Sequence, residues 1–335
     1  MRWGEIIRRL VLIPPTLFGV GVIVFVLLRV VPGDPIAMMI PPGASPADID
    51  RLRAFYGLDQ SIPQQFITWL GQALTGNFGR SISLHQNVFE LVLARLPATL
   101  ELSLLATLIA TALGVMVALT GVYVRGRRLE WAIDGGIGVF LAIPDFLWAL
   151  ILLLLFGVLI PLLPISGRID PQLDVAFRTN FYLVESLLTG RLDVALALLQ
   201  HMILPAVALA LPFAALVARL LKASLAEAED QDYAQIARAR GFSRPAILLR
   251  EVFPNALIPT VALGGVQVTL LLGGTVLVER IFSYEGIGNM AIDAVTNRDL
   301  PLIQGIILAF AVMFVAINLA VDIGLTFLDP RLRHG

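Results

Sequence analysis

Residues 10–28 read LVLIPPTLFGVGVIVFVLL, a run without one charged side chain. In helical form such a run matches the hydrocarbon thickness of a bilayer, which takes about twenty apolar residues to cross. Arg2, Arg8 and Arg9 precede it and Arg29 follows it. The flanks are those of a secretory leader, but the apolar run is too long for one and no small-x-small cleavage site follows. It is read as an uncleaved first membrane helix. Pro14 and Pro15 fall near its start, where first-turn amides have no helical partner to lose.

Similar runs recur outward from this one. They are expected to span from Pro97 to near Val124, Met202 to Ala218, Asn255 to Val278 and Pro301 to Val321. A further stretch, Trp131 to Leu163, is interrupted by Asp134 and by Pro144-Asp145. Its first half is too short to cross alone, so one long kinked helix is expected. Val31 to Arg95 is rich in proline, glycine and charge: Pro32-Gly33-Asp34-Pro35, Pro41-Pro42-Gly43 and Tyr56-Gly57-Leu58-Asp59 punctuate it. It is expected to lie outside the membrane as short helices and turns. Pro164 to Gln200 is a second mixed segment, and a polar stretch runs from Ala223 to about Pro254.

Composition points the same way. The 335 residues are 58% hydrophobic and 15% charged, with a mean hydropathy of +0.85. A soluble domain carries about 25% charge, and so large an apolar excess has no single water-soluble core to fill. The net charge of −1 gives no footprint for nucleic acid. The absence of cysteine removes disulfides, thiolate zinc sites and cysteine nucleophiles together. His85, His201 and His334 are scattered, so neither a metal nor a cofactor is expected.

The expected fold is an all-α polytopic membrane protein with six transmembrane helices, which puts both termini on one side. Fourteen basic residues decide the side: Arg2, Arg8, Arg9, Arg125, Arg127, Arg128, Arg219, Lys222, Arg238, Arg240, Arg244, Arg250, Arg331 and Arg333. Their density is roughly threefold that of the opposite side, which predicts both termini in the cytoplasm.

One polar stretch carries more pattern than a connector needs. Asp232 to Arg240 is a short helix by its own signals. Glu229, Asp230 and Asp232 sit at the positive end of its dipole, and Arg238 and Arg240 at the negative end. Gly241 then supplies a left-handed stop. Tyr233, Ile236, Ala237 and Arg240 recur at helical spacing on one face. Two readings fit: a solvated helix on the membrane surface, or a docking helix whose small residues admit a partner groove.

Asp232-Tyr233-x-x-x-Ala237-Arg-Ala-Arg-Gly241, with Leu248-Leu-Arg250 and Asn255-Ala-Leu-Ile-Pro259, resembles the "EAA" signature of ABC importer permeases. The branch it resembles most is the B-type permease of dipeptide, oligopeptide and nickel importers. Pro32-Gly33-Asp34-Pro35, Arg95-Leu-Pro-Ala-Thr-Leu-Glu101, Glu279-x-Ile-Phe282, Gly286-x-Gly288, Arg298-Asp299 and Leu328-Asp-Pro-Arg331 follow in the family's order. Two positions depart from the pattern: Glu285 replaces a frequent proline, and Asp145 stands where an uncharged residue is usual.

The resemblance implies a type I ABC importer permease fold. It divides the chain into a first membrane helix (1–30), a periplasmic segment (31–95), a permease core (96–328) and a cytoplasmic tail (329–335). Residues 232–241 become the coupling helix seated in a cytoplasmic ATPase, through Asp232, Tyr233, Ile236, Ala237, Arg238, Arg240 and Gly241. The implied partners are a second homologous permease, two ABC ATPase subunits and an extracytoplasmic solute-binding protein, in the bacterial inner membrane.

The chain has no ATPase loop of its own: its one lysine, Lys222, has no glycine before it. It is read as a non-catalytic subunit. The competing class is a secondary transporter with buried acids as relays. Glu101 and Asp134 are expected near span ends, and Asp322 as a packing or arginine partner. Asp145 alone is expected near mid-span, as a candidate pathway-lining residue. A membrane-bound enzyme has still less to draw on, with no nucleophile–base pair in the residue list. Gly264-Gly265 and Gly273-Gly274, with Gln267 and Thr269 between, suit either close helix packing or a helix lining the solute path.

Overall fold

The computed structural model describes residues 3–30, 40, 45–55, 59–173 and 175–328. Pro32 to Pro35, Pro41 to Gly43, Tyr56 to Leu58 and the tail from Asp329 lie outside the described residues. Among the described residues the chain is helical, with one isolated antiparallel bridge between Arg80 and Asn87. In order the helices are α1 (Trp3–Val30), α2 (Pro46–Phe55), α3 (Ile62–Leu74), α4 (Val88–Tyr123), α5 (Arg128–Ala142), α6 (Asp145–Leu153) and α7 (Tyr182–Leu188). There follow α8 (Leu192–Glu229), α9 (Asp232–Ala239), α10 (Arg244–Ile247), α11 (Phe253–Ile281), α12 (Ile287–Thr296) and α13 (Leu300–Leu328).

Five helical stretches are long and apolar enough to cross a bilayer, within α1, α4, α8, the α10–α11 run and α13, and α5 with α6 makes a sixth if that pair is one span. The expected all-α membrane fold is therefore present. Its boundaries differ from expectation in four places. Helix α4 begins at Val88, nine positions before Pro97. The Asn87 side chain accepts a hydrogen bond from the Phe89 amide at 2.9 Å and starts the helix there. Helix α8 runs through Pro205 and Pro212 from Leu192 to Glu229, well beyond Met202 to Ala218. The Trp131 to Leu163 stretch is broken, not kinked: α5 and α6 meet at 97° across Ile143 and Pro144. Proline drives the preceding residue out of helical torsions, and Ile143 is extended at φ −92°, ψ 120°. Helix α12 was not anticipated at all.

The chain forms two compact units. The larger, Pro97–Asn289 with α13 from Ala316 onward, is built around α8. Leu209, Ala210 and Phe213 of α8 pack with Leu102 and Ala106 of α4, Ala149 and Leu152 of α6, and Leu271 and Val278 of α11. Lipid offers apolar surface as readily as protein does, so close backbone approach has to supply packing. At Gly114 of α4 a Cβ would come within 2.7 Å of Val217 of α8, and at Gly265 of α11 it would overlap Val321 of α13.

Two buried carboxylates organise one end of this unit. Glu101 and Arg168 are paired at 2.8 Å with both side chains 4% exposed. The other Glu101 oxygen accepts the Leu183 and Val184 amides at the start of α7. Arg168 donates to the Asn180 carbonyl and lies 3.8 Å over the Tyr182 ring. Glu101 is thus a packed residue within α4, which starts earlier than expected. Glu279, fully buried, accepts the Thr99 hydroxyl at 2.6 Å and the Asn289 amide at 2.9 Å. A Cβ at Gly286 would overlap its carboxylate, so the glycines of this loop are room for Glu279.

The smaller unit comprises Trp3–Leu96 and Met290–Val315. Here α3 lies on α1, with Phe66 and Trp69 edging Phe25 at 5.2 and 5.7 Å and Arg29 Nε donating to Gln65 at 3.0 Å. Asp299 caps α13 through the Leu302 amide and accepts the Ser81 hydroxyl at 2.6 Å and the Ser83 amide at 2.9 Å. Burial alone would raise the Asp299 pKa; the hydrogen bonds from Ser81 and Ser83 outweigh it and hold the carboxyl below its ordinary value.

Removing either partner of the Glu101–Arg168 pair strands a buried charge, a loss of about 3–5 kcal/mol. Glu101→Ala and Arg168→Ala are each expected to lower the melting temperature of the solubilised protein sharply. Glu101→Gln, which keeps the acceptor for α7, is expected to cost less. Equal melting of all three with the parent protein would show that the pair does not hold this end together.

Candidate functional site

The polar stretch between α8 and α11 folds back on its own chain. Helix α9 ends at Arg240 and Gly241, and Gly241 takes φ +82° as expected. Its amide bonds to the Arg238 carbonyl and the Phe242 amide to the Ala237 carbonyl. That double bond pattern closes a helix around a left-handed residue. Ser243 then starts α10, and a wide π-turn over Leu248–Val252 leads into α11. Pro254 comes one residue later; proline has no amide to donate and crowds the preceding turn, which the widened turn accommodates.

The structure divides the expected docking face of α9 between the protein and the outside. Ala234 and Ala237 are buried in a cluster with Leu221 and Leu225 of α8, Ile247 of α10 and Val252. Tyr233 is half-buried against it, and desolvation raises its phenol pKa. Ile236 is 52% exposed, and Asp232, Gln235, Arg238 and Arg240 are exposed with it. Tyr233, Ile236 and Ala237 were expected to share one docking face. The structure turns Ala237 inward because the small side chain lets α9 lie close on its own chain, and leaves Ile236 outside.

An ionic hub fixes this hairpin. Glu229, the buried last residue of α8, lies 3.8 Å from Arg125 and 3.6 Å from Arg244. Arg238 donates to the Glu229 carbonyl at 3.0 Å, and Arg244 to the Val122 carbonyl at the end of α4, also at 3.0 Å. A cavity of about 510 Å³ opens here, lined by Arg125, Glu229, Asp230, Arg238, Phe242 and Arg244 among others. Sequence reasoning placed Glu229 only as a dipole partner and missed Arg125 and Arg244 as its neighbours. No local spacing links residues 125, 229 and 244; the fold brings them together.

The second candidate region is the break between α5 and α6. Asp145 and Gln267 line one cavity of about 240 Å³ with Leu141, Leu209, Phe213 and Leu270. Thr269 is not there: it is buried, and its hydroxyl turns back to the Val266 carbonyl of its own helix. Asp134 pairs with Lys222 at 2.6 Å, and Lys222 also holds Glu130 at 2.9 Å, tying α5 to α8. Glu101 and Asp134, two of the proposed relay acids, are thus engaged in ion pairs. Among the described residues no group of three His, Cys, Asp or Glu side chains is placed to hold a metal.

The chain matches the family described as "Binding-protein-dependent transport system inner membrane component" over residues 110–334, and that family's N-terminal region over residues 3–103. It belongs to this family. It is 38% identical to the di/tripeptide transport system permease protein DppB of Pseudomonas aeruginosa, over 98% of each chain. It is 34% identical to the dipeptide transport system permease protein DppB of Escherichia coli K12, again over 98% of each. The chain is thus a multi-pass inner-membrane permease subunit of a binding-protein-dependent ABC importer, with ATP hydrolysis assigned to separate ATPase subunits. The ion-gradient alternative is not favoured.

Nothing lies within 4 Å of a Cβ built at Gly241, so its φ alone resists substitution. Gly241→Ala should destabilise the hairpin by roughly 1–2 kcal/mol. Ala237→Glu places a charge in the buried cluster and should cost more. Hydrogen exchange over residues 231–247 checks both. Protection in Ala237→Glu equal to the parent would mean that α9 is not packed inward.

Proposed function

We propose that this chain is one of two homologous permeases of an ATP-driven importer of di- or oligopeptides or similar small solutes. Two ABC ATPase subunits and an extracytoplasmic binding protein complete it. The solute class follows the names of the two relatives above. The segments act as a first membrane helix (1–30), a periplasmic segment (31–95), a permease core (96–328) and a cytoplasmic tail (329–335).

One observation carries the coupling role. Helix α9 is anchored into its own chain by Ala234 and Ala237 while Asp232, Ile236 and Arg240 stay open on the other side. A helix that merely floated on the membrane surface would need no such anchor. One that transmits force needs a rigid attachment on one face and a free contact on the other. The Glu229 hub ties its root to the ends of α4 and α8, so displacement of α9 reaches both membrane helices. Tyr233, Ala237, Arg238 and Gly241 shape and hold the helix; Asp232, Ile236 and Arg240 meet the ATPase.

Ile236→Glu should leave the chain folded, because substitution of an exposed side chain costs within about 0.5 kcal/mol. It should nevertheless cut ATPase co-purification and solute uptake roughly tenfold, the effect of losing about 1.4 kcal/mol at the contact. Asp48→Ala on the exposed face of α2 should change neither. Full uptake with full ATPase retention in Ile236→Glu would return α9 to a solvated connector.

The same hub supports an orientation. Arg125, Arg127 and Arg128 share an end of the larger unit with Arg238 and Arg244 through the Arg244 contacts to Val122 and Tyr123. Basic residues gather on the cytoplasmic side, so α9 and both termini are assigned there. Reporter fusions at Ser45 and Gly335 should report outside and inside, respectively. An outside signal at Gly335 would overturn the assignment.

A further inference from the structure

Asp145 opens α6 directly after the extended Ile143–Pro144 break. An acid at a helix start has a local use, and Oδ1 meets it by accepting the Phe146 amide at 2.7 Å. Oδ2 is turned elsewhere, toward α11. A Cβ built on Gly274 would overlap that oxygen, so α11 carries a glycine where the carboxylate approaches. Among the described residues, the adjoining cavity of about 240 Å³ is lined by apolar side chains except for Asp145 and Gln267, with no lysine, arginine or histidine.

An intramembrane carboxylate in an apolar cavity without a facing base attracts cations and repels anions far more strongly than one in water. Gln267, with both a donor and an acceptor on its amide, adds a polar contact that takes either sign. We propose that Asp145 and Gln267 form a cation-selective station on the solute path, which receives the ammonium group of a zwitterionic or cationic solute. A free peptide amino terminus has this chemistry. The proposal rests on the reading that this cavity belongs to the pathway.

The chain contains no cysteine, so Gln267→Cys introduces its one thiol. In the assembled importer, the thiol is treated in parallel with a trimethylammonium and a sulfonate methanethiosulfonate, with and without ATP. Labelling of this chain is read by mass, and each rate is divided by that of a free thiol. The corrected cation-to-anion ratio should be roughly tenfold or more, as for attraction to one poorly screened carboxylate. Adding Asp145→Asn, which keeps the acceptor for the Phe146 amide, should bring the ratio near one. A ratio near one with Asp145 present overturns the station while leaving the pathway reading in place. A ratio unmoved by Asp145→Asn assigns the selectivity elsewhere and also overturns it. A thiol that neither reagent reaches in any nucleotide state overturns the pathway reading itself, and the station with it. In the same complex, Asp145→Asn should slow uptake of a free-amino dipeptide roughly tenfold while ATPase retention stays unchanged, a tenfold change being about 1.4 kcal/mol.

Discussion

A hydrocarbon interior offers the backbone no hydrogen-bond partner, and the architecture follows from that constraint. Each amide or carbonyl freed within a membrane must be satisfied by the protein or lie beside a cavity. Long helices meet the condition along most of their length. The points where this chain departs from them are therefore the informative ones. Ile143–Pro144 breaks the apolar α5–α6 stretch beside the cavity that holds Asp145 and Gln267. Leu248–Val252 widens just ahead of Pro254, where the chain leaves its polar hairpin for α11. These two departures adjoin the two regions for which function is proposed.

Charge obeys the same economy. Glu101 faces Arg168, Glu229 faces two arginines, and Lys222 faces Glu130 and Asp134. Paired in this way, charges fasten elements together: Glu101 fixes the segment around α7 to α4, Lys222 fixes α5 to α8, and Glu229 fixes the hairpin to the helix ends. Glu279 shows the other solution, a buried carboxylate held by the Thr99 hydroxyl and by the Asn289 amide in the first turn of α12, with glycines making room. Asp145 follows neither pattern: Oδ1 accepts the neighbouring Phe146 amide, and the cavity beside it is apolar apart from Gln267. The difference is what separates it from the structural acids.

Much of this was legible in the sequence. The apolar run at residues 10–28 lies within α1, and the dipole charges and Gly241 delimit α9 with its positive φ. These are local signals, set by a helix's own length and caps. The start of α4 was misplaced because proline at residue 97 reads as a helix start, while a long helix already under way can absorb it. The face of α9 was misread for a different reason. In an eight-residue helix the periodicity of Tyr233, Ile236 and Ala237 defines a stripe but not its centre, and Ala234 lies on the buried side of it. The salt-bridge hubs were illegible because most of their members are far apart in sequence: Glu101 and Arg168 by 67 positions, Asp134 and Lys222 by 88, and Arg125 and Glu229 by more than 100.

For the proposed coupling role, the arrangement gives a division of labour within one short helix. A coupling element that used a single face both for anchoring and for docking would have to loosen one contact to make the other. In α9 the small residues Ala234 and Ala237 make the anchor, where close approach is worth more than side-chain reach. The longer Asp232, Gln235, Ile236 and Arg240 extend outward, where reach is what a partner meets. The arginines at its root add directionality, since Arg244 grips carbonyls of α4 while Arg238 grips one of α8. Motion of α9 therefore has two rigid routes into the larger unit, and one of them, α8, packs against the α5–α6 break where the cavity lies.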